Sequence, residues 1–313
     1  MTVVVEQIPT AAAGRRSAGL GLALTSAASF GLAGPLAAGL MNAGWSAAAA
    51  VTVRIGLAAT VLLVPAVFAL RGRWMLLVRR LPVVIGYGVV AVAGCQLAYF
   101  NAVRHMDVAM ALLIEYLSPV VVVLWWWCRG HRPGALTVAG GVVALVGLVL
   151  VLNLLGGVHP SLVGVGWALL ATLGSATYFL LSDVTSEGEE SLPPIVLAAS
   201  GLLTGAVVLL VAGGTGVLDF RASSRAVEFG ELRVGFWVPL VLLGLVAAAI
   251  AYVTGIEATR RLGARLASFV ALFEVLFALV FAWLLLDQVP LMIQFAGAVL
   301  VLGGVVLVKL AEN

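Results

Sequence analysis

Charged residues are scarce in this chain of 313 amino acids, where Asp, Glu, Lys and Arg together make up only 10% of the sequence. A water-soluble domain carries about 25% charged residues, because its surface must face water. Hydrophobic residues make up 63% of the chain, and glycine occurs 36 times. The composition therefore excludes an ordinary soluble protein and indicates a membrane protein, in which small residues let helices pack closely.

Cysteine is almost missing as well, since only Cys95 and Cys128 occur, each in or at the end of an apolar run. They lack the spacing of metal ligands, so we interpret them as small core residues and expect no metal site and no cofactor. The sequence contains no HExxH, GxSxG or Walker A motif. These absences argue against the common hydrolases and against ATP-driven transport by this chain alone.

Ten apolar stretches reach the length of about 20 residues that a helix needs to cross a membrane. They span residues 18–41, 46–70, 82–103, 107–128, 134–154, 161–182, 193–213, 235–257, 264–286 and 290–309. The first is too long for the core of a signal peptide, so we expect it to be retained. The longest polar connection, residues 214–234, is expected to contain a short interfacial helix.

The basic residues sit at the ends of the apolar runs and therefore orient the chain. If successive helices cross the membrane in opposite directions, eleven basic residues lie on one side of it: Arg15, Arg16, Arg71, Arg73, Arg79, Arg80, Arg129, Arg132, Arg260, Arg261 and Lys309. The other side receives four: Arg104, Arg221, Arg225 and Arg233. The positive-inside rule then predicts that both termini are cytoplasmic. Because no basic patch forms, we expect no nucleic-acid partner despite a pI near 9.2.

Two segments, residues 106–150 and 262–306, share one pattern: an apolar run, a short polar break and a glycine-spaced apolar run. The repeat divides the chain into a cytoplasmic tail, residues 1–17, and two repeats, residues 18–154 and 161–310. Five helices in each repeat is an odd number, so the second repeat enters the membrane the opposite way round. We therefore predict an all-α integral membrane protein with ten transmembrane helices in two inverted five-helix repeats around a central cavity.

Three charged residues fall inside the predicted helices: Arg54, Glu115 and Glu274. A charge at a helix centre costs about 2.5–3.5 kcal/mol on insertion scales, so it normally faces a cavity or a partner. Arg54 and Glu115 lie equally deep, roughly 13 Å from the outer edge at about 1.5 Å per residue. They could form a structural ion pair or belong to a substrate or proton site, with Glu115 receiving a substrate amine. Glu274, near the midplane, could carry a proton or simply bond to a neighbouring helix.

Uncharged polar and aromatic residues are the remaining candidates for the cavity wall. They are Gln96, Tyr99, Ser118, Tyr178 and Tyr252, together with Ser26, Ser29 and Ser175. Each could instead join two helices through a hydrogen bond, which is a common role of such residues in membranes. Pro35 and Pro119 interrupt helices and are candidate gates, although kinks required only by packing would look the same.

The fourth predicted helix contains Leu113-Ile114-Glu115-Tyr116-Leu117-Ser118-Pro119, the second contains Arg54, and Asp287 precedes the last. With ten helices in two tandem units, this ensemble resembles the EamA-type branch of the drug/metabolite transporter superfamily. The stretch from Ala111 to Pro119 is similar to the fourth helix of threonine/homoserine exporters, which also place a glutamate four residues before the proline. Val275 stands where a second-repeat counterpart of Pro119 would lie. The resemblance implies a carrier in the plasma membrane.

We therefore expect a secondary transporter, most simply an exporter, that moves a small metabolite, amino acid or drug by alternating access. Proton coupling, the direction of transport, and assembly as a monomer or a homodimer stay open. An uncoupled facilitator of the same fold is the first alternative. An intramembrane lipid-modifying enzyme would need convergent Asp, His or Ser side chains, whereas His105, His131 and His159 all lie at helix ends. A non-transporting membrane scaffold would have no need of Glu115 and Glu274.

Overall fold

A computed structural model describes residues 8–105, 108–151, 161–185, 191–286 and 291–311 of the chain, and these residues are mostly helical. Within them, eight helices are long and apolar enough to cross a membrane, and two shorter apolar helices accompany the eight. The protein is thus a multi-pass membrane protein. Its apolar composition leaves the backbone little choice, because inside a bilayer a helix satisfies every backbone hydrogen bond within its own segment.

The first half of the chain contains nine α-helices and one π-helical segment among the described residues. They are α1 (Ile8–Gly31), α2 (Ala33–Asn42), α3 (Ala47–Leu70), α4 (Trp74–Arg79), α5 (Leu81–Gly86), the π-helical segment Tyr87–Gly94, α6 (Cys95–His105), α7 (Val108–Glu115), α8 (Ser118–Cys128) and α9 (Ala135–Val151). Helix α1 begins at Ile8, inside the segment predicted to be a tail, and its membrane-length portion begins at Ser17.

The second half contains seven α-helices, one π-helical segment and two short strands among the described residues. They are α10 (Leu162–Val184), α11 (Pro194–Gly214), β1 (Val227–Phe229), β2 (Leu232–Val234), α12 (Trp237–Gly244), the π-helical segment Leu245–Ile250, α13 (Ala251–Leu262), α14 (Ala264–Ala271), α15 (Phe273–Leu286) and α16 (Met292–Ala311).

Three of the predicted helices are broken near their middle. The first breaks between α1 and α2 at Leu32, the fourth between α7 and α8 at Tyr116, and the ninth between α14 and α15 at Leu272. Pro119 accounts for the break in the fourth helix, because proline cannot donate the helical hydrogen bond. The ninth helix breaks without a proline. Tyr116 and Leu272 nevertheless occupy matching positions of the two similar segments, so the discontinuity is itself repeated.

Helices of the two halves pack in matching pairs. Helix α3 packs along α11 and α9 along α16, while α1 packs along α13 in the same way that α10 packs along α6. Glycine permits the closest contacts: a Cβ atom added at Gly304 would lie 2.5 Å from the Ala144 nitrogen, and one at Gly147 would lie 2.6 Å from the Val301 nitrogen. Backbone-to-backbone packing of membrane helices therefore explains the glycines at these positions.

The prediction of an interfacial helix within residues 214–234 is wrong, because this connection forms a β-hairpin. Strands β1 and β2 pair in antiparallel fashion, with Phe229 opposite Leu232. The two-residue turn contains Gly230 with a φ of 56°, a conformation that glycine adopts without strain. Val227 and Phe229 are buried while Glu228 between them is exposed, which is the alternation of a strand with one buried face.

Candidate functional site

A cavity of about 90 Å³ lies in the middle of the bundle, several times the space that one water molecule needs. Helix α1, the third predicted helix, the broken fourth helix, α10, α13 and the broken ninth helix contribute to its wall. The side chains with polar atoms or rings along this wall are Ser26, Phe30, Cys95, Gln96, Glu115, Tyr116, Ser118, Ser175, Tyr178, Phe179, Tyr252, Thr259 and Glu274.

The two carboxylates of the cavity sit at the two repeated helix breaks. Glu115 is the last residue of α7, and Glu274 lies in the first turn of α15. The Glu115 Oε1 atom accepts a contact of 3.6 Å from the Cys95 thiol, and Glu274 lines the cavity together with Tyr116. Both carboxylates are half-buried. A broken helix thus presents each acid to the cavity, where a substrate amine or a proton could reach it.

A hydroxyl of a neighbouring helix adds a hydrogen bond to the backbone beside the break in the fourth helix, where the Ile114 carbonyl also accepts from the Leu117 nitrogen at 3.1 Å. The Thr172 hydroxyl on α10 lies 2.6 Å from the Ile114 carbonyl and 3.0 Å from the carbonyl of Ala168 in its own helix. Nearby, the hydroxyls of Ser175 and Ser118 are 3.2 Å apart. Such side-chain replacements make a helix break tolerable inside a membrane.

Arg54 is buried behind the cavity wall, with only 4% of its surface exposed. One guanidinium nitrogen donates to the Ala247 carbonyl at 2.5 Å, and another donates to the Gln96 side-chain oxygen at 3.2 Å. The guanidinium carbon also lies 5.8 Å from the centre of the Phe30 ring. These contacts differ from the ion pair with Glu115 that equal depth allowed. Arg54 instead joins the Gln96 side chain to the π-helical segment that contains Ala247 through hydrogen bonds.

Aromatic rings form a connected group on one side of the cavity. Phe30 and Tyr252 meet edge to face with ring centres 5.2 Å apart, and Tyr178 meets Tyr252 at 5.7 Å. The Tyr178 side chain is 8% exposed, and its hydroxyl has no hydrogen-bond partner among the described residues. A buried hydroxyl without a partner normally marks a place for water or a ligand.

Most residues predicted from the sequence as site residues meet at this cavity. Those in the wall are Gln96, Glu115, Ser118, Tyr178, Tyr252 and Glu274. Those outside the wall are Arg54, Tyr99, Pro119 and Pro35. Tyr99 packs with a small cluster around Ala102 and Ala111, and Pro35 lies in α2, beyond the first helix break.

Sequence reasoning missed Cys95, Tyr116 and Phe30 as wall residues. Cys95 was interpreted as a core residue, yet its thiol contacts both Glu115 and the Ala171 carbonyl, at 3.4 Å for the latter. Adjacency to Gln96 and Glu115 is the signal that could have found Cys95 and Tyr116. Among the described residues, no three His, Cys, Asp or Glu side chains lie close enough together to hold a metal ion.

The geometry defines a multi-pass membrane protein whose bundle encloses a cavity lined by two carboxylates, and comparison with known proteins places it among transporters. The model of the EamA-like transporter family matches the chain twice, at residues 17–153 and 162–310. The chain therefore belongs to the EamA-like transporter family.

Two curated relatives are themselves described only as transporters. An uncharacterized transporter of Bacillus subtilis, YxxF, is 22% identical over 66% of this chain and 63% of its own length, so the alignment spans just under two thirds of that relative. An uncharacterized transporter of Archaeoglobus fulgidus is 25% identical over 67% of this chain and 70% of its own length. A solved crystal structure superposes with a TM-score of 0.69 at 19% identity, over 96% of this chain and 98% of the other, which shows a shared fold.

Proposed function

We propose that the protein is a secondary transporter that exports a small metabolite, amino acid or drug from the cytoplasm. The observation that carries the proposal is the position of Glu115 and Glu274, two carboxylates that face one cavity deep inside a transporter bundle. Buried acids are costly in a membrane, so they are expected where a substrate or an ion passes. A substrate with an amine is the best chemical match to this wall, because carboxylates and aromatic faces both attract cations.

Alternating access follows from the proposed architecture of ten helices in two inverted five-helix repeats. The matching helix pairs and the helix breaks at Tyr116 and Leu272 support a two-fold relation between the halves. Inverted repeats commonly surround a site near the midplane and expose it by rocking of one half against the other. The cavity lies where the broken helices of the two halves meet, as such a mechanism requires.

The proposed setting is the plasma membrane, with both termini in the cytoplasm. The eleven basic residues on one side against four on the other support this orientation. The partners are then the lipid bilayer and a small-molecule substrate, with protons as the proposed coupling ion. Glu115 and Glu274 are the two groups that could exchange a proton for a substrate. The proposed activity is transport without chemical change of the substrate.

Transport by the reconstituted chain tests this proposal. Proteoliposomes are loaded in turn with radiolabelled amino acids and small amines, and efflux is measured with and without a pH gradient. We expect efflux that the gradient accelerates, and loss of efflux in Glu115→Gln and Glu274→Gln. Glu257→Gln is the matched control, because Glu257 does not line the cavity. Its carboxylate forms an ion pair of 2.5 Å with Arg261.

Each alternative gives a different result in this assay. Efflux that ignores the pH gradient would identify an uncoupled facilitator. A correctly inserted chain that moves none of the compounds under any gradient, or acid variants that transport like the unaltered protein, would refute the proposed function.

A further inference from the structure

The cavity stops short of the end of the bundle that carries the β-hairpin. Helix α1 contributes to its wall as far as Phe30, and the eighth predicted helix contributes only from Tyr252 onward. Beyond these residues a separate buried cluster begins, which includes Leu36 and Leu40 of α2 and Leu243 of α12. A substrate moving between the cavity and this end of the bundle must pass this apolar cluster.

The hairpin inserts two side chains into that cluster. Val227 has no exposed surface and Phe229 is only 7% exposed, although both belong to a connection between membrane helices. They rest directly on the backbone of α2 at Gly39. A Cβ atom added at Gly39 would lie 2.6 Å from the Phe229 ring and 2.8 Å from Val227. A larger residue at position 39 would therefore force the Phe229 and Val227 side chains to shift from their observed positions.

Hydrogen bonds attach the chain before the hairpin to the connection between α2 and α3. The Trp45 indole nitrogen donates to the Ser223 carbonyl at 2.7 Å. The Ser46 backbone nitrogen donates to the Arg221 carbonyl at 2.9 Å, and the Arg221 nitrogen donates to the Ser46 hydroxyl at 3.0 Å. The segment is thus fixed at two places, which a loosely attached loop would not be.

A hinge at Leu32 would let α2 change its angle without moving the cavity wall. The break at Leu32 divides α2 from α1, and α1 alone of the two contributes to the wall. Short connections between helical pieces are where hinge motions concentrate. Whatever holds α2 in place therefore controls whether the apolar cluster stays closed.

We propose that residues 219–234, here named the clamp segment, hold α2 against α12 and keep the cavity closed on this side of the membrane. Opening toward this side then requires the clamp segment to lift off Gly39. The inference rests on the proposed alternating access, but it concerns a segment that the transport proposal leaves without a role.

Labelling of the native Cys95 thiol measures access to the cavity directly. In a Cys128→Ser background, the full chain is placed in membranes and exposed to a membrane-impermeant thiol reagent from the side of the clamp segment. Gly39→Ala forces the hairpin side chains to shift, so we expect Cys95 to react roughly 5- to 500-fold faster, because a minor open state of roughly 0.1–10% would rise to about half of the population. Gly34→Ala is the matched control: it lies in the same helix, and an added Cβ meets nothing within 4 Å.

A second variant separates clamp release from damage to α2. Phe229→Ala leaves α2 unchanged, and we expect it to accelerate labelling as well. Because it removes the closest of the two side chains that a Cβ at position 39 would meet, and leaves only the Val227 contact at 2.8 Å, Gly39→Ala should accelerate labelling less in the Phe229→Ala background than in the unaltered chain. Equal labelling rates in all of these proteins, at whatever level, would overturn the proposal, as would equal acceleration by Gly34→Ala.

The labelling needs no substrate, so the two proposals can fail separately. Normal transport together with one labelling rate in every variant would refute only the proposed role of the clamp segment. Absence of transport together with faster labelling in the clamp-segment variants would refute only the proposed transport function.

Discussion

Arg54 is expected to act through Gln96 and Ala247 rather than through Glu115, and free energies of unfolding can test this. Arg54→Met keeps most of the side-chain volume but removes the donors to the Ala247 carbonyl and the Gln96 oxygen. A buried acceptor left without its partner costs about 1–3 kcal/mol. Gln96 can turn away, whereas the Ala247 carbonyl is fixed in its helix. We therefore expect a loss of about 1–3 kcal/mol, most of it from the carbonyl.

Double-mutant cycles then identify the partner. Arg54→Met is combined once with Gln96→Ala and once with Glu115→Gln, and unfolding is followed in mixed detergent micelles. Residues that share a hydrogen bond show interaction energies of about 0.5–3 kcal/mol, while residues without a shared contact add nearly independently. Since Glu115 contacts the Cys95 thiol instead, we expect the larger interaction energy for the pair with Gln96.

Arg54→Lys is the conservative arm of the experiment. Lysine keeps the charge but lacks the planar fork that reaches two acceptors at once, so it should recover part of the lost stability and not all of it. Full recovery would mean that charge alone matters. An interaction energy with Glu115 larger than that with Gln96 would refute the assignment and restore the ion pair that equal depth in the membrane allows.

Four further substitutions test the helix packing, the break in the fourth helix and the clamp segment. Gly304→Ala should destabilise the protein by about 1–3 kcal/mol because its Cβ meets the backbone of α9, whereas the neighbouring Gly303→Ala, which meets nothing within 4 Å, should be neutral or slightly stabilising in thermal unfolding. Thr172→Val removes the donor to the Ile114 carbonyl and should cost about 1 kcal/mol in the same measurement. Trp45→Phe should leave global stability nearly unchanged but increase proteolysis within the clamp segment, since its indole anchors that segment.

Much of the fold could be predicted because a bilayer restricts the chain to helices. The apolar run 46–70 corresponds to α3, Ala47–Leu70, and the run 161–182 corresponds to α10, Leu162–Val184. The free-energy cost of a charge in the membrane also predicted that Glu115 and Glu274 face a cavity or a partner, since a buried acid must face something other than lipid. Composition and hydropathy thus predict which residues lie inside the membrane and which of these residues carry an unusual charge.

The sequence predicts how deep a residue lies in the membrane but not the direction in which its side chain points. The contacts of the site residues therefore could not be predicted from the sequence. Arg54 and Glu115 lie equally deep, but rotation about each helix axis decides their contacts, and that rotation depends on packing between helices. The break at Leu272 lacks a proline, so no local residue signals it. The strands of the hairpin have three residues each, too few for an alternating pattern to stand out.

The two halves share a scaffold and differ in the chemistry placed on it. Glu115 and Ala271 occupy matching positions, as do Ser118 and Glu274, and all four residues line the same cavity. A symmetric pair of acids would receive a substrate equally well in two orientations. One acid before the break in the fourth helix and one after the break in the ninth make the wall asymmetric, so the proposed transporter would favour one orientation of its substrate. The same asymmetry gives the two carboxylates different surroundings: Glu115 contacts the Cys95 thiol, whereas Glu274 lies in the first turn of α15. In the proposed transporter, these different surroundings would let two like acids take different roles, one toward the substrate and one toward a proton.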